Sequence, residues 1–94
     1  MEEIEFRIIF NGMPTNSGKE ALGSILWDCY HDGNGYTCGE ATFDNKDEAC
    51  KTFYDLSQIV INPDYMTTGN LELLGRDETD NAYKLQDVAF WRRD

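Results

Sequence analysis

Four side chains of this sequence have the chemistry to ligate zinc, namely Cys29, His31, Cys38 and Cys50. Zinc sites in proteins take four nitrogen or sulfur ligands, usually arranged as closely spaced pairs such as CxxC. The spacing here is C-x-H-x6-C-x11-C, which contains no such pair. The sequence therefore predicts no metal site and no cofactor, and it predicts three isolated thiols that are buried as small hydrophobic side chains.

Nucleophilic catalysis by a cysteine would need a thiol placed against an imidazole that a third group orients. His31 is the one histidine, and on a continuous helix it would point away from Cys29. A pairing of His31 with Cys38 or Cys50 through the fold stays open as an alternative. We expect a protein that is not an enzyme.

An acidic stretch, residues 77–82, has some features of a calcium-binding loop. An EF-hand loop needs glycine at its sixth position and a bidentate glutamate at its twelfth. Counted from Asp77, these positions hold Ala82 and Val88. The sequence therefore excludes an EF-hand.

Trp27 is a candidate partner-binding residue. On a helix over 18–31, the apolar stripe of Leu22 and its neighbours lies on one side, and Trp27 lies on the other with Glu20 and His31. Tryptophan is enriched among the residues that contribute most to binding at protein interfaces. The alternative is that the loop over 62–69 or the Phe90-Trp91 segment covers Trp27.

Acidic residues form the second candidate surface. On the second predicted helix Asp47, Glu48 and Asp55 lie opposite the apolar stripe, and a later turn supplies Asp77, Glu78 and Asp80. Carboxylates three or four residues apart on a helix are about 5–6 Å apart, which is comparable to the phosphate spacing along a nucleic-acid strand. The pattern predicts a surface that imitates nucleic acid, and the alternative is that the charge only keeps the protein in solution.

Composition limits the classes of function. The chain has 94 residues, with 8 lysines and arginines against 18 aspartates and glutamates, a net charge of −10. Such a charge excludes direct nucleic-acid binding of the usual basic kind and disfavours anionic membranes. A hydrophobic share of 40% excludes simple disorder. With an acidic start, no long apolar run and an odd number of cysteines, we expect one soluble domain over 1–94 in the reducing cytoplasm.

Alternation and helical periodicity give the first half of the fold. Residues 3–10 alternate as a half-buried strand, and Asn11, Gly12 and Pro14 predict a loop over 11–16. Ser17 and Glu20 fit a capping box at the start of a helix over about 18–31. Residues 36–43 are predicted as the next strand.

The second half continues with a helix capped by Asp44 or Asn45 that extends to about residue 60, although residues 59–61 also fit a short strand. A loop over 62–69 precedes two strands, 70–74 and about 82–91, which form a terminal hairpin with a break near Gln86. The order β-α-β-α-β-β predicts an α+β fold with two helices packed on one face of a four-stranded mixed or antiparallel sheet.

In size, charge and predicted architecture the chain resembles small acidic inhibitor proteins. These include phage-encoded DNA mimics, inhibitors of restriction or CRISPR nucleases, and acidic immunity or antitoxin proteins. The resemblance implies a non-enzymatic inhibitor that binds the basic nucleic-acid-binding surface of a partner protein, such as a nuclease or a nuclease complex. The alternative is an accessory protein–protein interaction module without a link to nucleic acid.

Overall fold

The computed structural model describes residues 3–23, 30–31, 37–78 and 82–92. Its elements, in chain order, are β1 (Glu3–Pro14), α1 (Asn16–Gly23), β2 (Tyr30–His31), β3 (Thr37–Phe43), α2 (Lys46–Val60), β4 (Met66–Asp77) and β5 (Lys84–Arg92). The two-residue strand β2 was not predicted. Without it, the order is the expected β-α-β-α-β-β.

The strands form one antiparallel sheet in the order β2-β3-β1-β4-β5. The long strand β1 lies at its centre, between β3 and β4. Helix α2 connects β3 to β4 and packs against β1, β3, β4 and β5. The predicted α+β fold is confirmed, and the four long strands pair in the antiparallel way.

The core lies between the two helices and one face of this sheet. Strand β1 contributes Phe6, Ile8 and Phe10, which are at most 2% exposed. From the helices come Leu22 of α1 and, from α2, the predicted stripe Ala49, Phe53, Leu56 and Val60. We call the opposite side of the sheet the open face, because no described helix covers it.

Helix α2 begins as its sequence predicts. Asn45, rather than Asp44, is the N-cap, and its side chain accepts the backbone N–H of Glu48 at 3.1 Å. At the other end Ile61 donates its N–H to the carbonyl of Ser57. Residues 59 and 60 are therefore helical, and the alternative of a strand over 59–61 is wrong.

Strands β1 and β4 are longer than predicted. Residues 11–14 and 66–69 were expected in loops, but the two segments pair with each other, for example through Met13 and Thr68. Gly12 makes this pairing possible, because a Cβ at this position would lie 2.4 Å from the carbonyl oxygen of Thr68. The residues that look like turn formers thus serve a close contact between two strands.

Helix α1 differs from its prediction at both ends. Its cap is Thr15 rather than Ser17, since the Thr15 hydroxyl accepts the N–H of Gly18 at 3.1 Å. Tyr30 and His31 were predicted at the end of the helix but lie in β2, where they pair with Cys38 and Thr37. The helix prediction is wrong for these two residues, and residues 24–29 lie outside the described part of the chain.

Candidate functional site

One end of the sheet gathers acidic residues from β1, α2 and β4 and from the residues next to these elements. At this end β1 begins, β3 and β4 finish, and α2 starts. Glu3 pairs directly with Asp77, and Phe6 pairs with Phe43, which precedes the start of α2 by three residues. We call this region the acidic end, defined by Glu3, Glu5, Asp44, Asp47, Glu48, Asp77 and Glu78.

The start of α2 borders the start of β1 directly. An open depression of about 500 Å³ between them is lined by Ile4, Glu5, Thr42, Phe43, Asp44 and Glu48. Asp47 and Glu48 occupy the first turn of α2, where the helix dipole favours negative charge. Both side chains are exposed, as are Asp44 and Glu78. The arrangement can present several carboxylates at once to a cationic surface.

The acidic end contains four of the predicted site residues, Asp47, Glu48, Asp77 and Glu78. A fifth, Asp55, is exposed on the same helix but lies about 12 Å further along it, because eight residues rise about 1.5 Å each. Asp80 lies outside the described residues. The predicted acidic surface is thus reduced to a smaller region at one end of the sheet.

The other predicted surface does not form as expected. Glu20 is exposed on α1, which starts at the opposite end of the sheet, where β1 finishes. His31 lies in β2, so the helical relationship that placed it beside Trp27 is wrong. Trp27 itself lies outside the described residues, and its role in binding stays a prediction.

Two cysteines are less buried than the sequence predicts. Cys50 was predicted to be buried, but it is exposed on α2, a quarter turn from the buried stripe. Cys38 is half-buried, and its thiol donates to the side-chain oxygen of Asn11 at 3.1 Å. Within the described ranges, no three histidine, cysteine, aspartate or glutamate side chains are grouped so that they could hold a metal ion.

A cluster of charged residues that the sequence did not predict lies on the open face near the acidic end. The carboxylate of Glu5 accepts hydrogen bonds from Arg76, through Nε at 3.0 Å, and from the Tyr83 hydroxyl at 2.5 Å. The Arg7 guanidinium lies over the Tyr83 ring, 4.9 Å from its centre. The Nε of Arg7 is buried and has no hydrogen-bond partner within the described part of the chain. The cluster joins β1 and β4 to the residue before β5.

These contacts shift the pKa values of the cluster. The hydrogen bond from Tyr83, followed by the one from Arg76, lowers the pKa of Glu5 below its usual value of 4.5. Burial and the bond to Glu5 raise the pKa of Tyr83 above 10.0. Glu5 therefore stays charged at neutral pH and forms an ion pair with Arg76.

Replacing Tyr83 by phenylalanine is expected to change how stability depends on pH. Because Glu5 has a lowered pKa in the folded protein, its contribution is present above pH 4.5 and is lost as the pH falls through the folded-state value. Tyr83→Phe should therefore be less stable than the wild type at neutral pH, and this difference should shrink on acidification. Thermal unfolding between pH 7 and pH 3 measures it.

Tyr54→Phe is the matched control for this experiment. Tyr54 is 64% exposed and lies on α2, away from Glu5. Its variant should follow the wild type at every pH. A constant difference between Tyr83→Phe and the wild type across the titration would contradict the role of the hydroxyl in holding Glu5 charged.

The edge strand β5 carries a second feature that sequence analysis missed. Leu85, Val88 and Phe90 are 55%, 45% and 68% exposed, and they pair with Leu74, Glu72 and Asn70 on the open face. The sequence gives only a weak indication of this apolar patch, because β5 shows no regular alternation of polar and apolar residues. Its position at the sheet edge follows only from the pairing of the strands.

No helix in the described residues is long and apolar enough to cross a membrane. In the comparisons with known proteins, no protein-family model, no curated protein and no solved structure matches this chain.

Proposed function

We propose that this protein is a non-enzymatic inhibitor or regulator that binds the basic nucleic-acid-binding surface of a partner protein, with its acidic end as the contact. The observation that supports the proposal is the gathering of carboxylates from β1, α2 and β4 at one end of the sheet. A cytoplasmic nuclease or nuclease complex of the restriction or CRISPR type fits this requirement.

The physical basis is competition for one cationic groove. The net charge of −10 attracts a basic surface from a distance and speeds the encounter. The exposed carboxylates Asp44, Asp47, Glu48 and Glu78 then occupy positions that phosphates would otherwise take. Apolar anchors would supply much of the affinity, and Trp27 remains the predicted first anchor.

A second candidate function is an accessory interaction module without a link to nucleic acid. The exposed apolar side chains of Leu85, Val88 and Phe90 favour it, because an apolar patch of this kind is common at protein interfaces. The response of binding to salt and to nucleic acid separates the two candidates.

The test begins with affinity capture of the partner from cells that produce the protein, at low salt, followed by elution with salt and identification. Binding of the purified partner is then measured by calorimetry at rising salt, with and without duplex DNA or RNA. Since the Debye length falls from about 30 Å at 0.01 M to about 10 Å at 0.1 M salt, affinity should fall steeply over this range. Added nucleic acid should displace the protein.

Two variants that each remove three charges locate the contact. Asp47→Asn/Glu48→Gln/Glu78→Gln changes the acidic end, whereas Glu40→Gln/Asp64→Asn/Glu72→Gln changes other sites. The two variants have equal net charge, so the long-range attraction to a basic partner is weakened equally in both. The first variant is expected to weaken binding roughly tenfold or more, and the second by roughly twofold or less. Thermal unfolding checks that both variants are folded.

Three results would contradict the proposal. One is a partner that holds nucleic acid and this protein at the same time. Another is equal weakening by the two variants, which would assign the charge to solubility and general attraction. The third is binding that hardly responds to salt, which would favour the accessory module.

A further inference from the structure

Three of the seven large hydrophobic side chains that are exposed in the described residues lie along β5. Of the large hydrophobic side chains that are exposed in the described residues, Leu85, Val88 and Phe90 lie on this strand, and Tyr54 lies on α2 beside it. Phe90 and Tyr54 are 68% and 64% exposed. These residues flank β5 on its two sides, Leu85, Val88 and Phe90 on the open face and Tyr54 on the helix side.

The backbone of β5 is available along its outer edge. In the described part of the chain β5 ends the sheet and pairs only with β4. The N–H of Val88 donates to Oδ1 of Asp87 at 2.8 Å. Since β4 fills the other side of the strand, a side-chain oxygen of β5 reaches this N–H from the free edge. The N–H of Val88 therefore points outward, where a further strand would pair.

On the helix side, α2 and β5 enclose a groove of about 380 Å³. Its walls include Phe53, Tyr54, Leu73 and Ala89, and Asp87 supplies a carboxylate. Asp87 is exposed, and its pairing with Leu73 places it on the helix side of the sheet. The groove thus combines apolar walls with one negative charge, which suits the long aliphatic stem and cationic head of lysine or arginine.

We propose that the free edge of β5 binds an extended segment of a partner protein as an additional strand, with a lysine or arginine of that segment opposite Asp87. Alternate side chains of a strand point to opposite faces. The cationic side chain therefore enters the groove beside α2, while the neighbouring side chains lie against Leu85, Val88 and Phe90 on the open face. Backbone hydrogen bonds supply affinity and the two side-chain surfaces supply specificity.

Charge favours a cationic segment over a second copy of this chain. Two copies would bring together twice the net charge of −10, and Asp87 would face an acidic molecule. The irregular pairing at Gln86 and the carboxylate on the Val88 N–H also guard the edge against another like strand. A cationic strand can pair with this edge. Its backbone carbonyl accepts the N–H of Val88 in place of the Asp87 carboxylate, and its ammonium or guanidinium group binds that carboxylate.

The probe is a short synthetic peptide that alternates lysine with valine, and calorimetry with the full chain measures its binding. A second peptide has the same sequence but carries N-methyl groups on the amides that would face β5. It keeps every charge and side chain, so nonspecific attraction to the acidic end is unchanged. It is expected to bind about tenfold more weakly, or worse, because the backbone hydrogen bonds are lost. A third peptide, with glutamate in place of lysine, is expected not to bind.

Protein variants test the two contacts of the proposal. Asp87→Asn should weaken binding of the lysine peptide about threefold to tenfold, whereas the matched control Asp64→Asn, an exposed turn residue, should leave it unchanged. Val88→Pro removes the outward N–H and should abolish binding. Where that variant does not fold, the N-methylated peptide on the wild type gives the same information.

Three outcomes would overturn the proposal. They are absence of binding by the lysine peptide, equal binding of the N-methylated peptide, and sedimentation of the wild type as a dimer that Val88→Pro dissociates. The last result would show that a second copy occupies the edge. None of these outcomes bears on the competition between the acidic end and nucleic acid.

Discussion

Phe10→Ala is expected to lower the free energy of unfolding by about 3–5 kcal/mol. Phe10 is fully buried in the central strand, where it pairs with Gly39 of β3 and Leu71 of β4. Its ring lies next to the positions where Gly12 and Gly69 would carry a Cβ. Because pairing on both sides holds the backbone, the surroundings cannot collapse into the space that the ring leaves. Urea denaturation followed by circular dichroism measures the loss.

Ile61→Ala is the control for this experiment. Ile61 is 44% exposed and follows the last turn of α2, so its loss should cost much less than that of a core residue. Since a small domain has roughly 5–15 kcal/mol of stability, the loss expected for Phe10→Ala is a large fraction of the total. A loss below about 1 kcal/mol for Phe10→Ala would show that β1 does not form the centre of the core.

Gly18→Ala is expected to destabilise the protein by about 3 kcal/mol, although alanine is the better helix former by about 1 kcal/mol. A Cβ on Gly18 would lie 2.0 Å from the carbonyl oxygen of Tyr65 and 3.0 Å from Cβ of Pro14. The Tyr65 carbonyl is fixed, because it accepts the N–H of Thr15 at 2.9 Å. Thermal unfolding of the variant gives the size of the effect.

The same helix offers the control Gly23→Ala. Among the described residues, no atom outside the neighbouring helix backbone lies within 4 Å of a Cβ at this position, so helix propensity should decide the effect here. This variant is expected to be as stable as the wild type or up to about 1 kcal/mol more stable. If Gly18→Ala also gained stability, the close packing of α1 against the turn before β4 would be wrong.

Helix α2 was predictable because its cap and its apolar stripe are both visible in the local sequence. Asp44 or Asn45 was the predicted cap, and Ala49, Phe53, Leu56 and Val60 recur at helical spacing, so the start and the buried face follow from the sequence, whereas the end was predicted with a strand over 59–61 as the alternative. The ends of β1 and β4 were not predictable in this way. Their residues resemble loop formers, and they are strands only because each pairs with the other, more than fifty positions away in the chain.

The candidate site shows the same division. The exposed face of α2 followed from periodicity, so Asp47 and Glu48 were found. Asp77 and Glu78 lie near these residues because of the register between β1 and β4. No local sequence pattern predicts this register. The grouping of Glu20 with His31 failed for the converse reason, because it assumed a local helix where residues 30–31 pair with β3.

The central position of β1 has a consequence for how the chain folds. Both neighbours of β1, β3 and β4, come later in the sequence, and the contact between Glu3 and Asp77 closes most of the chain. Contacts of such long range make folding slow, since chain entropy is lost before they form. During synthesis, β1 can pair with β3 first, but its other edge has no partner strand until β4 has left the ribosome, and until then that edge is open to wrong pairing.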